Sequence, residues 1–341
     1  MPRLLVPLGV LVLAVVGYTI YWHHLADATE TRIVARIADW RAAGLVIDHR
    51  GLTIGGFPYR LTVTLADLDI AEKAHPLQWR WQTPSLSLTA QPWNLSHWIA
   101  VGDRAHRLAF GRGDRRTTID ATGESTRTSL VLDGAGRILR ASVDLKGLEL
   151  RGAGTLAATR IGRLQLHARW PENGPGSRLD AVIQIAALVL AGGGVLGRDI
   201  TSAMVDASLI GPVPASWSPA DVGRWRDAGG TIEIHRGQML WGPLEIDADG
   251  TLALDSEFRP IGAFAARLHG FDALIDALAQ AGLFDDDGAR VAKVALGLLA
   301  ETTAGGDARL LRVPVTAQDG MVSLGPIPIF GLVPLFAPEP G

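Results

Sequence analysis

Residues Leu4–Trp22 run without a charged side chain, starting three residues into the chain. No other feature restricts the fold as much, because this run decides which solvent each part of the chain meets. As a helix of nineteen residues it would be roughly 28 Å long, close to the hydrocarbon thickness of a bilayer. Three readings fit such a segment. An uncleaved anchor suits its length and its close in Tyr18, Tyr21 and Trp22, aromatics that favour the headgroup level. A cleaved leader would take Arg3 as its basic start and Ala26-Asp27-Ala28 as its small-residue site, but apolar regions of leaders usually run about 7–15 residues. A core helix is a poor fit with Pro7 and Gly9 inside it. The anchor is preferred, with Leu4 and Trp22 as its ends. Arg3 on one side and Arg32 and Arg36 on the other, diluted by Asp27 and Glu30, do not decide its orientation.

Charge and cysteine content bound the function. The formal net charge is −3 and no block of five basic residues occurs, which argues against nucleic acid as a partner. With no cysteine there is no lipoprotein anchor, no disulfide framework and no thiol nucleophile. The stretch Ile185–Gly197 is too short to cross a membrane and contains Gly192-Gly193-Gly194.

Beyond the anchor (residues 1–24), the pattern from Leu25 turns helical. Ile33, Ile37 and Trp40 share a face and Gly44 supplies a stop, giving a stalk over residues 25–44. Residues 45–341 then read as one β-rich region, and any division into two lobes is expected at 171–177, Pro-Glu-Asn-Gly-Pro-Gly-Ser. Alternation marks the strands: Leu61 to Leu65, Ser85 to Thr89, Ala141-Val143-Leu145, Leu164-Leu166-Ala168, Ile232-Ile234, Leu244-Ile246-Ala248 and Leu252-Leu254. A phase slip between Leu65 and Leu68 predicts a bulge near Ala66. Turns are expected at Asp133-Gly134, Gly152-Ala153-Gly154, Asp249-Gly250 and Asp319-Gly320, close enough together that neighbouring strands must be antiparallel.

Helices interrupt this meander. Ser218-Pro219 reads as an N-cap followed by proline in the first turn. Phe271, Leu274, Ile275 and Leu278 form one apolar stripe, and Val291, Val294, Ala295 and Leu298 another; Asp285-Asp286-Asp287-Gly288 links them. The fold class is therefore mainly β with a few helices: an N-terminal transmembrane helix and stalk, then a large curved antiparallel sheet capped by an αα-hairpin.

Candidate chemistry is sparse. His23-His24 with Asp27 has helical metal spacing but suits a wet flank of the membrane better. Asp285 to Gly288 lacks the alternating ligands of a calcium loop and fits a helix cap. No nucleophile elbow, zinc-protease motif or phosphate loop occurs, and no cofactor or metal is implied; acids that converge only in three dimensions stay open. The tryptophans are more informative. Trp79 and Trp81 share a strand face, and Val182 to Leu190 is apolar on both faces, as in a doubly buried strand or one lining an apolar groove. Candidate groove-lining residues are Trp79, Trp81, Ile183, Ile185, Leu188 and Leu190.

Several segments together resemble domain of unknown function family 2125 of alphaproteobacteria. They are the anchor with stalk Trp40, the run Gly55-Gly56-Phe57-Pro58-Tyr59-Arg60, the stretch from Trp79-Arg80-Trp81 to Ala90-Gln91-Pro92, and Asp319-Gly320 with Leu324-Gly325-Pro326-Ile327-Pro328. The resemblance implies a single-pass inner-membrane protein with its C-terminal body in the periplasm, and brings no catalytic residues. More remotely, Asp249 to Leu254 is similar in texture to AsmA and TamB-type envelope proteins, in which a curled sheet forms a lipid groove. The expected partners are the bilayer through the N-terminal helix and a lipid or other apolar ligand in a sheet groove. The alternative is a non-enzymatic envelope scaffold with a filled core that docks another protein.

Overall fold

The structure, a computed structural model, describes residues 2–72, 78–111, 116–152, 158–171, 178–214, 218–282, 285–302, 309–325 and 327–336. It is mainly β, all strand pairings are antiparallel, and four helices occur among the described residues. The chain forms two compact units, Met1–Ile138 and Leu139–Gly341.

The first unit opens with α1 (Pro2–Ala42), followed by β1 (Leu45–Asp48), β2 (Gly51–Gly55), β3 (Leu61–Glu72), β4 (Trp79–Gln91), β5 (Asn94–Gly102), β6 (Ala105–Phe110), β7 (Thr117–Thr122) and β8 (Ser125–Leu132). Anchor and stalk are one uninterrupted helix. Its second half covers the apolar face of β3: Trp22 and Ala26 pack on Leu61, and Ile37 on Ile47, Leu65 and Leu68. Gly44, at φ +100°, turns the chain back into β1, a conformation glycine adopts without a Cβ clash. Trp40 does not share the burial of Ile37 and is exposed, because the helix ends two residues later.

The phase slip in β3 has a different cause from the expected bulge. Ala66 pairs with Ser85 and Leu68 with Thr83, so the register is unchanged and no residue is inserted. Instead Asp67 takes φ +48° at the position facing Pro84, which has no N–H to give the ladder. This single left-handed residue lets Leu65 and Leu68 bury themselves in the same cluster.

The second unit is a meander of β9 (Ile138–Gly152), β10 (Thr159–Arg169), β11 (Arg178–Val189), β12 (Asp199–Ile210), β13 (Thr231–Trp241), β14 (Leu244–Leu254) and β15 (Pro260–His269). It continues through β17 (Arg309–Gln318), β18 (Met321–Leu324) and β19 (Ile327–Gly331), with β16 (Ala300–Thr302) added beside β17. Helix α2 (Pro219–Asp227) joins β12 to β13, while α3 (Phe271–Gln280) and α4 (Asp286–Leu299) lie between β15 and β16. The caps are those the sequence signals: Ser218 accepts from the Asp221 N–H ahead of Pro219, and Asp285 accepts from the Gly288 N–H. The residues 172–177 lie outside the described residues; β10 and β11, on either side of them, pair from Arg160–Val189 to Arg169–Asp180.

Two turns stand where expected. The Asp133 carboxylate accepts from the N–H groups of Ala135 and Arg137, and Asp319-Gly320, both at positive φ, join β17 to β18. Asp249-Gly250 is not a turn: it lies inside β14 and pairs on both sides. Glycine is required there for strand approach, since a Cβ on Gly250 would come within 2.3 Å of the Ala263 carbonyl oxygen. Ala153-Gly154 lies outside the described residues.

The αα-hairpin buries a different stripe of its second helix from the expected one. Phe271, Ile275 and Leu278 of α3 are buried as the spacing predicts. In α4, however, Ala289, Ala292 and Leu296 face inward, and Val291, Val294 and Leu298 are exposed. Both stripes are apolar, and the small Ala289 and Ala292 let α4 approach more closely than valine would.

Candidate apolar site

Strand register in the second unit lines up apolar residues into two long rows. One runs Leu145, Leu164, Ile185, Ala203, Met239, Ile246, Leu268, Leu311, from β9 to β17. The next runs Val143, Leu166, Ile183, Val205, Gly237, Ala248, Ala266, Val313. Residues paired across antiparallel strands share a face, so these rows form one apolar surface. The row between them, on the opposite face, reads Asp144, Gln165, Gln184, Met204, Gln238, Asp247, Arg267, Arg312. One face is built for water and the other is not.

Cover over the apolar face is uneven. At the β14–β17 end, α3 and α4 lay Phe271, Ile275, Ala289, Ala292 and Leu296 over Leu268, Leu311, Ala266 and Val313; Leu311 is 0% and Leu268 3% exposed. Helix α2 covers one strand end, with Val222 and Trp225 packed on Leu209, Leu254 and Leu179. Trp225 also donates its indole N–H to the Ile210 carbonyl at 2.8 Å. From β9 to β13 the same rows are not buried: Val143, Leu145, Leu164, Leu166 and Ile185 are half-buried, Ile183 is 42% and Val205 39% exposed.

Of the six candidate lining residues, Ile183, Ile185 and Leu188 lie on strand β11 in the second unit. Ile183 and Ile185 stand in the apolar rows. Leu188 pairs with Ile161 and Ile200 beyond Ala187, whose φ of +53° does in β11 what Asp67 does in β3 and keeps the apolar phase. Leu190 follows the strand end and donates its backbone N–H to the Arg198 carbonyl at 2.9 Å. Trp79 and Trp81 are in the first unit: Trp79 donates to the Glu72 carboxylate at 3.1 Å, and Trp81 packs against the cluster around Ile37 and Leu65. Periodicity marked Val143, Leu145, Leu164 and Leu166 as strand residues, but their membership of one surface with Ile183 depends on register, which sequence alone does not give.

On the polar face, sequence reasoning missed a Ser–His–Asp grouping. Ser208 Oγ lies 2.8 Å from Asp180 Oδ1, to which it donates, and 2.8 Å from His235 Nε2; Arg178 Nη2 approaches it at 3.0 Å. Arg169 and Arg178 also pair with Asp180 at 2.9 and 2.6 Å. Burial pushes the Asp180 carboxyl up, but the hydrogen bonds from Arg169, Arg178 and Ser208 outweigh it and hold the group far below the usual carboxylate range. The chemistry follows from the direction of each bond. The Asp180 carboxylate can only accept, so when the Ser208 hydroxyl donates to it, His235 Nε2 is left as a donor to Ser208. Ser208 is also buried. This geometry is an ion-pair node that ties β10, β11, β12 and β13 together.

In the first unit, an open depression is lined by Asp69, Gln82, Thr83, His106, Arg107 and Asp120. Asp69 is lowered first by its hydrogen bond from Arg80, and His106 is lowered by burial, partly offset by Asp103. The acids Asp69 and Asp120 are each engaged by arginine, Arg80 and Arg107. These groups serve as cross-strand pairs.

Taken together, the features define a class: a mainly β protein with a long apolar N-terminal helix and an amphipathic antiparallel sheet whose apolar face is covered over only part of its width. The chain belongs to the family described as "Uncharacterized protein conserved in bacteria" (DUF2125), which it matches over residues 22–332. No curated protein and no solved structure matches the chain, and the remoter similarity to AsmA and TamB-type proteins gains no support from the comparisons.

Proposed function

We propose that this protein is held in the bacterial inner membrane by α1, uncleaved, with its β units in the periplasm, and that the open apolar face of the second unit holds a lipid acyl chain. The observation that carries the ligand is the pair of apolar rows left uncovered from β9 to β13. Four strand spacings of about 4.8 Å make that surface roughly 19 Å across, enough for the ~15 Å hydrocarbon depth of one leaflet. The opposite row is polar, so the sheet would carry the chain on one side and face water on the other.

Retention of the helix is supported by its packing and by the family match. Ala26, within the cleavage-like Ala26-Asp27-Ala28, is buried with Trp22 against Leu61, in the middle of α1. The match begins at residue 22, ahead of that site. Cleavage would strip the cover from the first half of β3. Mass spectrometry of lipid extracted from the detergent-purified full chain should find bound lipid near one per chain. Recovery no greater than from a detergent blank would sink the lipid proposal.

A second reading, an envelope interaction protein, is favoured by one separate observation. Val291, Val294 and Leu298 form an exposed apolar stripe along α4. A photocrosslinker at Leu298 in intact cells should then capture a protein; capture of lipid alone would count against this reading.

A further inference from the structure

The aromatic close of the apolar helix is bound by two loops of the first unit. Tyr18 donates its hydroxyl to the Pro58 carbonyl, Tyr21 donates to the Pro92 carbonyl at 2.8 Å, and the Trp22 indole N–H donates to the Arg60 carbonyl at 3.0 Å. Trp22 is buried against Leu61. The loop 56–60 between β2 and β3 and the tight turn at Pro92-Trp93 between β4 and β5 therefore clasp the helix at the level where it would leave a bilayer. The same two loops present three aromatics outward: Phe57 is 47%, Tyr59 72% and Trp93 61% exposed. Phe57 stands edge-on to Trp22, with ring centroids 5.5 Å apart, so this cluster is continuous with the helix.

Length gives an independent reason to bring these loops to the membrane. The helix is free of the strands only up to Gly17, since Tyr18 is the first residue held by a loop. Leu4–Gly17 is fourteen residues, or about 21 Å, against a hydrocarbon core of about 30 Å. The missing ~9 Å places residues 18–22, with the loops bonded to them, inside the membrane boundary. Their chemistry suits that depth. The three carbonyls facing the helix already have donors, and the outward groups are the amphipathic rings that favour the interface.

We infer that the tip formed by Phe57, Tyr59 and Trp93 is a second membrane-contact site, inserted into the lipid headgroup layer beside α1. This rests on the proposal that α1 spans a bilayer. The two can be tested separately because the chain has no cysteine, so one introduced cysteine takes a fluorophore cleanly. Full-length protein would be reconstituted in phosphatidylethanolamine and phosphatidylglycerol vesicles carrying spin-labelled quencher lipids. The labelled positions are Asn94→Cys at the tip, Glu124→Cys at the turn between β7 and β8, and Val12→Cys in the free helix.

A shallow quencher should reduce the Asn94→Cys signal at least twofold and leave Glu124→Cys unchanged. Adding Tyr59→Ser and Trp93→Ser, both at exposed positions, should restore the Asn94→Cys signal. If Val12→Cys is quenched by a deep quencher while Asn94→Cys behaves as Glu124→Cys, the tip contact is overturned and the spanning helix stands. Quenching at neither Val12→Cys nor Asn94→Cys overturns both. Quenching at Asn94→Cys alone keeps the tip contact and overturns the spanning helix.

Discussion

Leu145 and Leu311 stand in the same row of the same face of one antiparallel sheet, yet Leu311 is fully buried and Leu145 is not. The difference is the cover. Between β15 and β17 the chain leaves the sheet, forms α3 and α4, and lays them on the strands it has just made; between β9 and β13 the described residues form one helix, α2, at one strand end, and the 190–198 connection sends Leu196 to the already covered cluster. A sheet strand buries its apolar side only if another layer arrives, and this sheet received one over part of its width. The covered end can thus supply stability and leave the open end available for a ligand.

Substitutions should separate these two roles. The largest effect is expected for Leu311→Ala, which removes a fully buried side chain beneath α3 and α4: a loss of about 3 kcal/mol by urea unfolding of the detergent-solubilised protein. A loss no greater than at Leu145 would break the comparison. Asp180→Ala comes next, at about 2 kcal/mol, because it leaves Arg169, Arg178 and Ser208 without their shared acceptor.

That second effect has a definite pH sign. The folded Asp180 carboxyl lies below its unfolded value of about 3.9, so its contribution is full above that pH and fades as pH falls through the folded value. The gap between wild type and Asp180→Ala should be constant from pH 7 to 5 and close only in strong acid; closing near neutral pH would contradict the assignment. Leu145→Ala, at the open end, should cost under about 1 kcal/mol, since its side chain keeps partial contact with water when folded. Smallest of all, Leu298→Ser on the exposed face of α4 should stay within about 0.5 kcal/mol in the same unfolding experiment.

The class of the fold was legible because alternation is a local property. Leu61 to Leu65 and Leu164 to Leu166 announce their strands without knowing their partners, and Ser218-Pro219 and Asp285 announce helix starts. What needed the third dimension was everything settled between segments. Asp249-Gly250 has turn composition but serves close strand approach. Val291, Val294 and Leu298 have the better stripe, but the alanines beside them won the contact. Tyr18, Tyr21 and Trp22 look like headgroup aromatics and are also bound by loops more than thirty residues away. The open surface was half legible: Ile183, Ile185 and Leu188 stood out by composition, while Val143, Leu145, Leu164, Leu166 and Val205 joined them through register alone.

The most direct test places a photocrosslinking amino acid at Ile183, in the open part of the apolar rows, and at Leu268, in the covered part, in full-length protein in intact cells. The account predicts lipid adducts at Ile183 and, at Leu268, only internal crosslinks to α3 or α4. Equal lipid labelling at both positions, or none at Ile183, would contradict it.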